Sequence, residues 1–102
     1  MIIIKTSSDK KSVLEDIAKV LLKDKIAGCI NLIPGCTSLF TWDNKLNKNT
    51  EHLIMIKTIK ENEQKVYNII KKMHNYQIPE IITLNVQNID KDYKKWLKEV
   101  MI

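Results

Sequence analysis

The stretch CINLIPGCTSLFTWDNKLNKNTEHLIMIKT (Cys29–Thr58) contains two long β-type runs joined by one short polar connection. The first run ends at Trp42 and is followed by Asp43-Asn44, two residue types that tolerate the left-handed backbone of a two-residue hairpin turn. The second run is interrupted by polar residues around 47–50 before it becomes continuously apolar. The stretch therefore predicts one long β-hairpin whose turn is Asp43-Asn44.

The first run is too long to remain straight within a small domain. Its fourteen residues would extend about 46 Å at ~3.3 Å per residue, whereas a domain of this length has a diameter of about 34 Å. Pro34 lacks the N–H that strand pairing uses, and Gly35 permits unusual φ values. We expect a bulge or corner at Pro34-Gly35 and a hairpin that bends or projects.

Amphipathic periodicity and turn residues predict further elements on both sides of the hairpin. They are a strand at Met1–Lys5, a helix at about Asp9–Lys23 with Ser7, Ser8 or Asp9 as N-cap, a helix at about Lys60–His74, a strand within Glu80–Ile89, and a short last helix capped by Asp90. Because strand–helix–strand crossovers are right-handed, this order places both long helices on one face of an antiparallel sheet. The predicted fold is an α+β, ferredoxin-like βαββαβ sandwich with a long bent hairpin and a short C-terminal helix, in a single domain covering residues 1–102.

The second run of the hairpin is apolar at every position from Leu53 to Ile56. A strand with one solvated face alternates between apolar and polar residues, so this part of the sheet requires cover on both faces. Two amphipathic helices and a short third one cover about one face. We expect another copy of the same chain to cover the other.

Composition restricts the class of protein. Apolar residues make up 44% and charged residues 28% of the chain, which is typical of a globular protein. No apolar run is long enough for a membrane span, and the start MIIIKTSSDK lacks the basic region and cleavage site of a signal peptide. The net charge of +5 comes from Lys residues dispersed among Glu and Asp, which favours a solvated surface over a phosphate-binding patch. We expect a cytoplasmic, unprocessed protein without a nucleic-acid or membrane partner.

Catalytic motifs are missing from the sequence, and candidate metal ligands are scattered. There is no nucleophile elbow and no glycine-rich phosphate loop, so an enzyme is not expected. Cys29 and Cys36 would lie about 23 Å apart on an extended strand, too far for a disulfide, and free thiols suit a reducing compartment. If the turn is Asp43-Asn44, Cys36 faces Glu51 with His52 adjacent, which permits a weak Cys/His/Glu metal site.

The loop after the second long helix contains His74, Tyr76, Pro79 and Glu80. A histidine at a helix end can simply interact with the helix dipole. Alternatively, the loop packs near the base of the hairpin, where Lys57 also falls, and forms a polar, aromatic-lined site. The residues alone leave both interpretations open.

Four blocks of the sequence resemble the CutA family, the divalent-cation tolerance proteins. They are GCINLIPGCTSLFTW (Gly28–Trp42), IKT (Ile56–Thr58), HNYQIPEI (His74–Ile81) and DYKKWL (Asp92–Leu97). The resemblance implies a cytoplasmic, non-catalytic homotrimer linked to tolerance of copper and other divalent metals, with a metal ion as partner and no organic cofactor. It also implies an alternative, a module similar to the PII signalling proteins that holds a small ligand in clefts between subunits. A trimer that serves only a partner protein is the third reading.

The resemblance extends to individual residues. Asn31, Ser38, Trp42, Lys57, Tyr76 and Glu80 fall on motif positions and imply a cleft that holds a small anionic ligand against Lys57, Tyr76 and Glu80. His74, Cys29, Cys36 and Met73 are the candidate metal ligands. The chain departs from the family pattern at Lys5, where some members have a thiol, at Met73, where some have a second His, and at Asn75, commonly a Pro. Copper, or another divalent metal ion, is therefore expected to bind weakly.

Overall fold

The computed structural model describes all residues from 1 to 102. Its elements are β1 (Ile2–Ser8), α1 (Lys11–Lys23), β2 (Cys29–Trp42), β3 (Lys45–Thr58), a 3₁₀ turn (Lys60–Asn62), α2 (Glu63–Met73), β4 (Ile82–Asn85) and α3 (Lys91–Glu99). The strands form one sheet in the order β2-β3-β1-β4, in which every neighbouring pair is antiparallel. The predicted α+β, ferredoxin-like βαββαβ fold is confirmed.

The core lies between one face of the sheet and the two long helices. On α1 the buried residues recur at helical spacing, and α2 contributes a second such stripe, so each helix buries one side against the strands. The core residues are Ile2, Ile4, Leu14, Ile17, Leu21, Ala27, Ile54, Ile56, Val66 and Ile70. None of the three helices combines the length and the apolar character needed to cross a membrane.

The hairpin has the predicted turn and the predicted bend. Asp43 and Asn44 have φ values of 52° and 60°, and Trp42 pairs with Lys45 on either side of them. The register shifts between Ile33 and Cys36, where Gly35 has a φ of 73° that favours glycine. The molecule measures 46 × 26 × 22 Å, because the hairpin beyond the bulge projects from the domain.

The interruption predicted around residues 47–50 is wrong, since β3 is continuous from Lys45 to Thr58. Asn47 pairs with Phe40, and Asn49 pairs with Ser38. Backbone pairing with β2 holds this segment in strand conformation whatever side chains it carries. Polar side chains therefore mark the part of the strand that projects from the core and not a break in it.

Other element boundaries differ from the predictions for the same reason. β1 continues beyond Lys5 to Ser8 because Thr6, Ser7 and Ser8 pair with β3. β4 is limited to Ile82–Asn85, the segment that pairs with β1.

Helix starts also differ from the predictions, with one exception. α1 starts only at Lys11, and no side chain caps it. α2 starts at Glu63 after the 3₁₀ turn, so the helix predicted from Lys60 to His74 is shorter at both ends. The predicted cap of the last helix is confirmed, since the Asp90 carboxylate accepts a hydrogen bond from the Tyr93 N–H at 3.0 Å.

The second face of the sheet has little cover within the chain. Ile33, Ile82 and Leu84, which alternate with core-facing residues, are 43–47% exposed. α3 reaches only one end of this face, where the Lys57 ammonium lies 5.5 Å from the centre of the Tyr93 ring. Two helices cover one face, as the sequence indicated, and the other stays largely open.

Gly28 provides the close approach that α3 needs. A Cβ atom at this position would lie 2.6 Å from Leu97 Cδ1 and 2.9 Å from the Leu97 carbonyl oxygen. Leu97 is almost completely buried, so it has little room to move away.

We predict that Gly28→Ala lowers the free energy of unfolding by about 1–3 kcal/mol through overpacking. The measurement is denaturant unfolding at one fixed protein concentration. Leu97→Ala alone should cost about 2–5 kcal/mol, and the double variant should cost less than the sum because the clash with the leucine side chain is gone. Additive losses would contradict this account of the contact.

Candidate functional site: a buried carboxylate beneath the hairpin

Glu51 is the centre of the candidate site. It lies on β3 opposite Cys36, just after the bulge, and only 7% of its surface is exposed. The Ser38 hydroxyl donates a hydrogen bond to Glu51 Oε1 at 2.6 Å, and the Tyr76 hydroxyl donates to Glu51 Oε2 at 2.6 Å. Such short distances are typical of hydroxyl donors to a carboxylate. The carboxylate therefore connects both strands of the hairpin to the loop after α2.

His74 holds that loop in place. The Tyr76 N–H donates to His74 Nδ1 at 2.9 Å, so the ring proton is on Nε2, which lies 2.7 Å from the Ser7 carbonyl oxygen and donates to it. Both ring nitrogens are thus engaged. His74 directly follows α2 and links the helix end to β1, so it is a positioning residue for Tyr76.

Asn75 and Tyr76 complete the attachment of the loop to the end of β1. Asn75 accepts a hydrogen bond from the Ser8 hydroxyl at 2.6 Å and donates to the Asp9 carboxylate at 2.9 Å. The Tyr76 hydroxyl accepts from the Asp9 N–H at 2.9 Å and from the Asn49 amide at 3.4 Å. The Tyr76 ring is therefore fixed over β3 from several directions.

Burial, followed by the hydrogen bond to the Glu51 carboxylate, raises the pKa of Tyr76 to about 12. The neutral phenol is favoured because its proton is shared with a negatively charged acceptor. Tyr76 therefore stays a hydrogen-bond donor throughout the neutral pH range.

A groove opens beside this carboxylate, and we call it the hairpin groove. It has a volume of about 920 Å³. Its walls are Ser7 of β1, Ser38, Leu39, Phe40 and Trp42 of β2, Asn47, Asn49 and Glu51 of β3, and residues 75–78 and Glu80 of the loop after α2. The groove therefore combines carboxylates, amides, hydroxyls and aromatic rings.

The residues predicted to form a cleft do not all lie together. Ser38, Trp42, Tyr76 and Glu80 line the hairpin groove. Asn31 pairs with Met55 further along the hairpin.

The placement of Lys57 beside Tyr76 and Glu80 is wrong. Lys57 pairs with Cys29, and its ammonium donates to the Tyr93 hydroxyl at 3.2 Å. It lies six residues along β3 from Glu51, a separation of about 20 Å at ~3.3 Å per residue. The base of the hairpin and the loop after α2 are at opposite ends of the core part of β3. The cation beside Glu80 is Lys5, whose Nζ lies 3.4 Å from Glu80 Oε2.

The candidate metal ligands are dispersed within the chain. Cys29 and Cys36 are both free and half-buried, and Met73 packs against the core. Cys36 faces Glu51 as predicted, but His52 follows Glu51 on the strand and so points to the other face, where its Nδ1 accepts from the Gly35 N–H at 3.3 Å. No group of three or more His, Cys, Asp or Glu side chains has the geometry to hold a metal ion.

Sequence reasoning identified the parts of this site but not its centre. The predicted turn register places Ser38 two residues from Cys36, on the same face as Glu51. This register was the one sequence pattern that indicated a contact between Ser38 and Glu51. The contact between Glu51 and Tyr76 joins residues 25 positions apart through the packing of a loop. No local pattern encodes it.

We predict that Tyr76→Phe lowers the free energy of unfolding at neutral pH by about 1–3 kcal/mol, because a buried carboxylate oxygen loses its donor. The variant should also change the pH profile. The pKa of Tyr76 is raised from 10.0 to about 12 on folding, so its contribution is complete below pH 10 and is lost as the pH rises to about 12. The difference between wild type and Tyr76→Phe should therefore shrink over that interval.

The matched control is Tyr67→Phe, which removes a hydroxyl bonded to the neutral Thr83 hydroxyl at 2.8 Å. It should cost about 0.5–1.5 kcal/mol. Urea unfolding at several pH values measures both variants. A pH-independent difference between wild type and Tyr76→Phe would show that the phenol does not titrate differently in the folded state.

Comparison with known proteins agrees with the fold and the motif blocks. The family model of the CutA1 divalent ion tolerance protein matches residues 1–100. The divalent-cation tolerance protein CutA of Yersinia pestis (strain Pestoides F) is 34% identical over 102 residues, an alignment that covers 100% of this chain and 85% of the Yersinia protein.

Solved structures show the same likeness. The Archaeoglobus fulgidus protein, described as a periplasmic divalent cation tolerance protein CutA, has a TM-score of 0.93 and 30% identity, with 100% of both chains covered. CutA1 from Pyrococcus horikoshii has a TM-score of 0.91 and 31% identity, with 98% of this chain and 97% of that chain covered. The match of the family model over nearly the whole length, together with the shared fold, shows that this chain belongs to the CutA family of divalent-cation tolerance proteins.

Proposed function

We propose that the protein is a homotrimeric, non-catalytic divalent-cation tolerance protein of the cytoplasm that binds copper, or another divalent metal ion, weakly. Family membership supports the link to divalent cations. The free thiols support the cytoplasm, although one related protein is described as periplasmic.

The open sheet face is the single observation that carries the proposal of self-association. β2 and β4 are edge strands with unpaired backbone groups, and apolar side chains are exposed on the open face beside them. Leu39 and Leu46 on the projecting hairpin are 65% and 78% exposed as well. Apolar patches next to free sheet edges are typical of surfaces that pair with another subunit.

The contacts of the candidate ligands support weak rather than tight metal binding. His74 can bind a metal ion only by giving up one of its two hydrogen bonds. The Met73 thioether packs against the core, and the two thiols lie apart. A metal ion would therefore have to rearrange the loop or take ligands from more than one subunit.

A second candidate function is a binding module, similar to PII proteins, that holds a small ligand in clefts between subunits. The hairpin groove favours it, because a nearly buried carboxylate with two hydroxyl donors lies beside exposed aromatic rings. Such convergence of polar and aromatic groups in a concave surface is characteristic of ligand sites.

We predict that light scattering gives a mass three times 11.9 kDa for the purified protein at micromolar concentration. Leu84→Lys places a charge on the open sheet face and should lower this mass. Leu22→Lys is the matched control, because Leu22 is 42% exposed but lies on α1, away from that face. A folded, cooperative monomer of the wild-type chain would end the proposal of a trimer.

We predict that calorimetric titration with Cu(I) and Cu(II) gives weak binding that is lost in His74→Ala. Because this variant also loosens the loop, Asn75→Ala is the control: it breaks two loop contacts and keeps the imidazole. Cys29→Ser and Cys36→Ser test the thiols. An isotherm unchanged by His74→Ala would remove His74 from the set of ligands.

A further inference from the structure

We propose that the hairpin groove binds a small organic cation, an alkylammonium whose charged group contacts Glu51 and whose carbon chain extends along the groove to Phe40, on the side toward Trp42. The inference rests on the second candidate function, since it names the class of ligand for that module. It replaces the anionic ligand expected from the sequence, because Lys57, the expected partner of an anion, lies at the other end of β3.

The first argument is that Glu51 is a nearly buried charge without a cation. The chain has two ion pairs, Lys5–Glu80 and Lys60–Glu63, and Glu51 takes part in neither. Buried charges in proteins are normally paired, because the loss of hydration is costly. Each carboxylate oxygen accepts one hydroxyl bond, and a carboxylate offers about four acceptor positions. Glu51 therefore retains acceptor capacity that an ammonium group can use.

The second argument is the charge of the groove relative to the rest of the protein. The chain has 17 basic residues and a net charge of +5, yet two glutamates and no Lys, Arg or His line the groove. Glu80 is paired with Lys5, and the cation nearest the outer end is Lys45, opposite Trp42 at the hairpin tip. The unpaired negative charge of Glu51 therefore makes the groove repel anions and attract cations.

The third argument comes from the aromatic side chains. Phe40 and Trp42 follow Ser38 at a spacing of two on β2, so all three lie on the face that Glu51 shares. The two rings are 43% and 62% exposed. Their faces offer apolar surface against which a carbon chain packs.

The register also sets the length of the ligand. Phe40 pairs with Asn47, four residues from Glu51, which corresponds to about 13 Å along the strand at ~3.3 Å per residue. Trp42 pairs with Lys45, six residues from Glu51 or about 20 Å, so it borders the far end of the ligand. The carboxylate and the aromatic rings are thus separated along the groove. This separation fits an elongated alkylammonium better than a compact metal ion, for which the chain offers no cluster of three ligands.

The test uses tryptophan fluorescence in a Trp96→Phe background, because Trp42 and Trp96 are the two tryptophans of the chain. We expect hexylamine at neutral pH to give a saturable change, hexanol a much weaker one and hexanoate none. Glu51→Gln should weaken hexylamine binding at least tenfold, because a neutral amide replaces the carboxylate that the ammonium group contacts. Comparable binding of hexanoate, or unchanged affinity in Glu51→Gln, would overturn the proposal.

Further variants keep the test decisive if Glu51→Gln folds poorly. Phe40→Ala should weaken binding of hexylamine severalfold, whereas Leu46→Ala, which removes an exposed side chain from the opposite face of the hairpin, should not. Unchanged affinity in Phe40→Ala would count against the proposal. Binding of Zn²⁺ or Cu²⁺ in the groove without any binding of hexylamine would also overturn it.

The same samples, analysed by light scattering, separate this inference from the proposed function. A trimer that does not bind hexylamine would remove only the ligand class. A monomer that binds hexylamine would remove the clefts between subunits and keep the groove as a site that a single chain forms.

Discussion

The rest of the structure depends on one constraint, which is that the two halves of β3 pair with different numbers of strands. From Leu53 to Lys57 the strand pairs with both β1 and β2, and its buried isoleucines lie under α1 and α2. From Lys45 to Glu51 it pairs with β2 alone and projects as a hairpin. The first half of β3 is therefore part of a two-stranded hairpin, and its second half is part of the core. The bulge in β2 lies where the two halves meet.

Glu51 lies at that transition, which explains its chemistry. It is close enough to the domain to be nearly buried and close enough to the projecting hairpin to border an open groove. Its charge is stabilised by hydroxyl donors from β2 and from the loop after α2. The loop in turn depends on His74, so the residue that resembles a metal ligand acts in this chain as the support of Tyr76.

Much of the fold could be predicted because it follows from local patterns. The Asp43-Asn44 turn, the bulge at Pro34-Gly35 and the Asp90 cap are each set by the conformational preferences of a few adjacent residues. Predictions failed where pairing between distant segments decided the outcome. Ser7 and Ser8 resemble helix-capping residues, yet they continue β1 because β3 lies beside them.

The sequence by itself determined the order of the elements, the turn and bend of the hairpin, the helix faces that enter the core, and the family. These features depend on the period of apolar residues and on turn chemistry, which act over a few positions. Only the tertiary structure decided that Glu51 meets Tyr76 and that Lys57 stays apart from both. The physical reason is that such contacts depend on where a loop crosses the end of the sheet, and that position results from the packing of the whole domain.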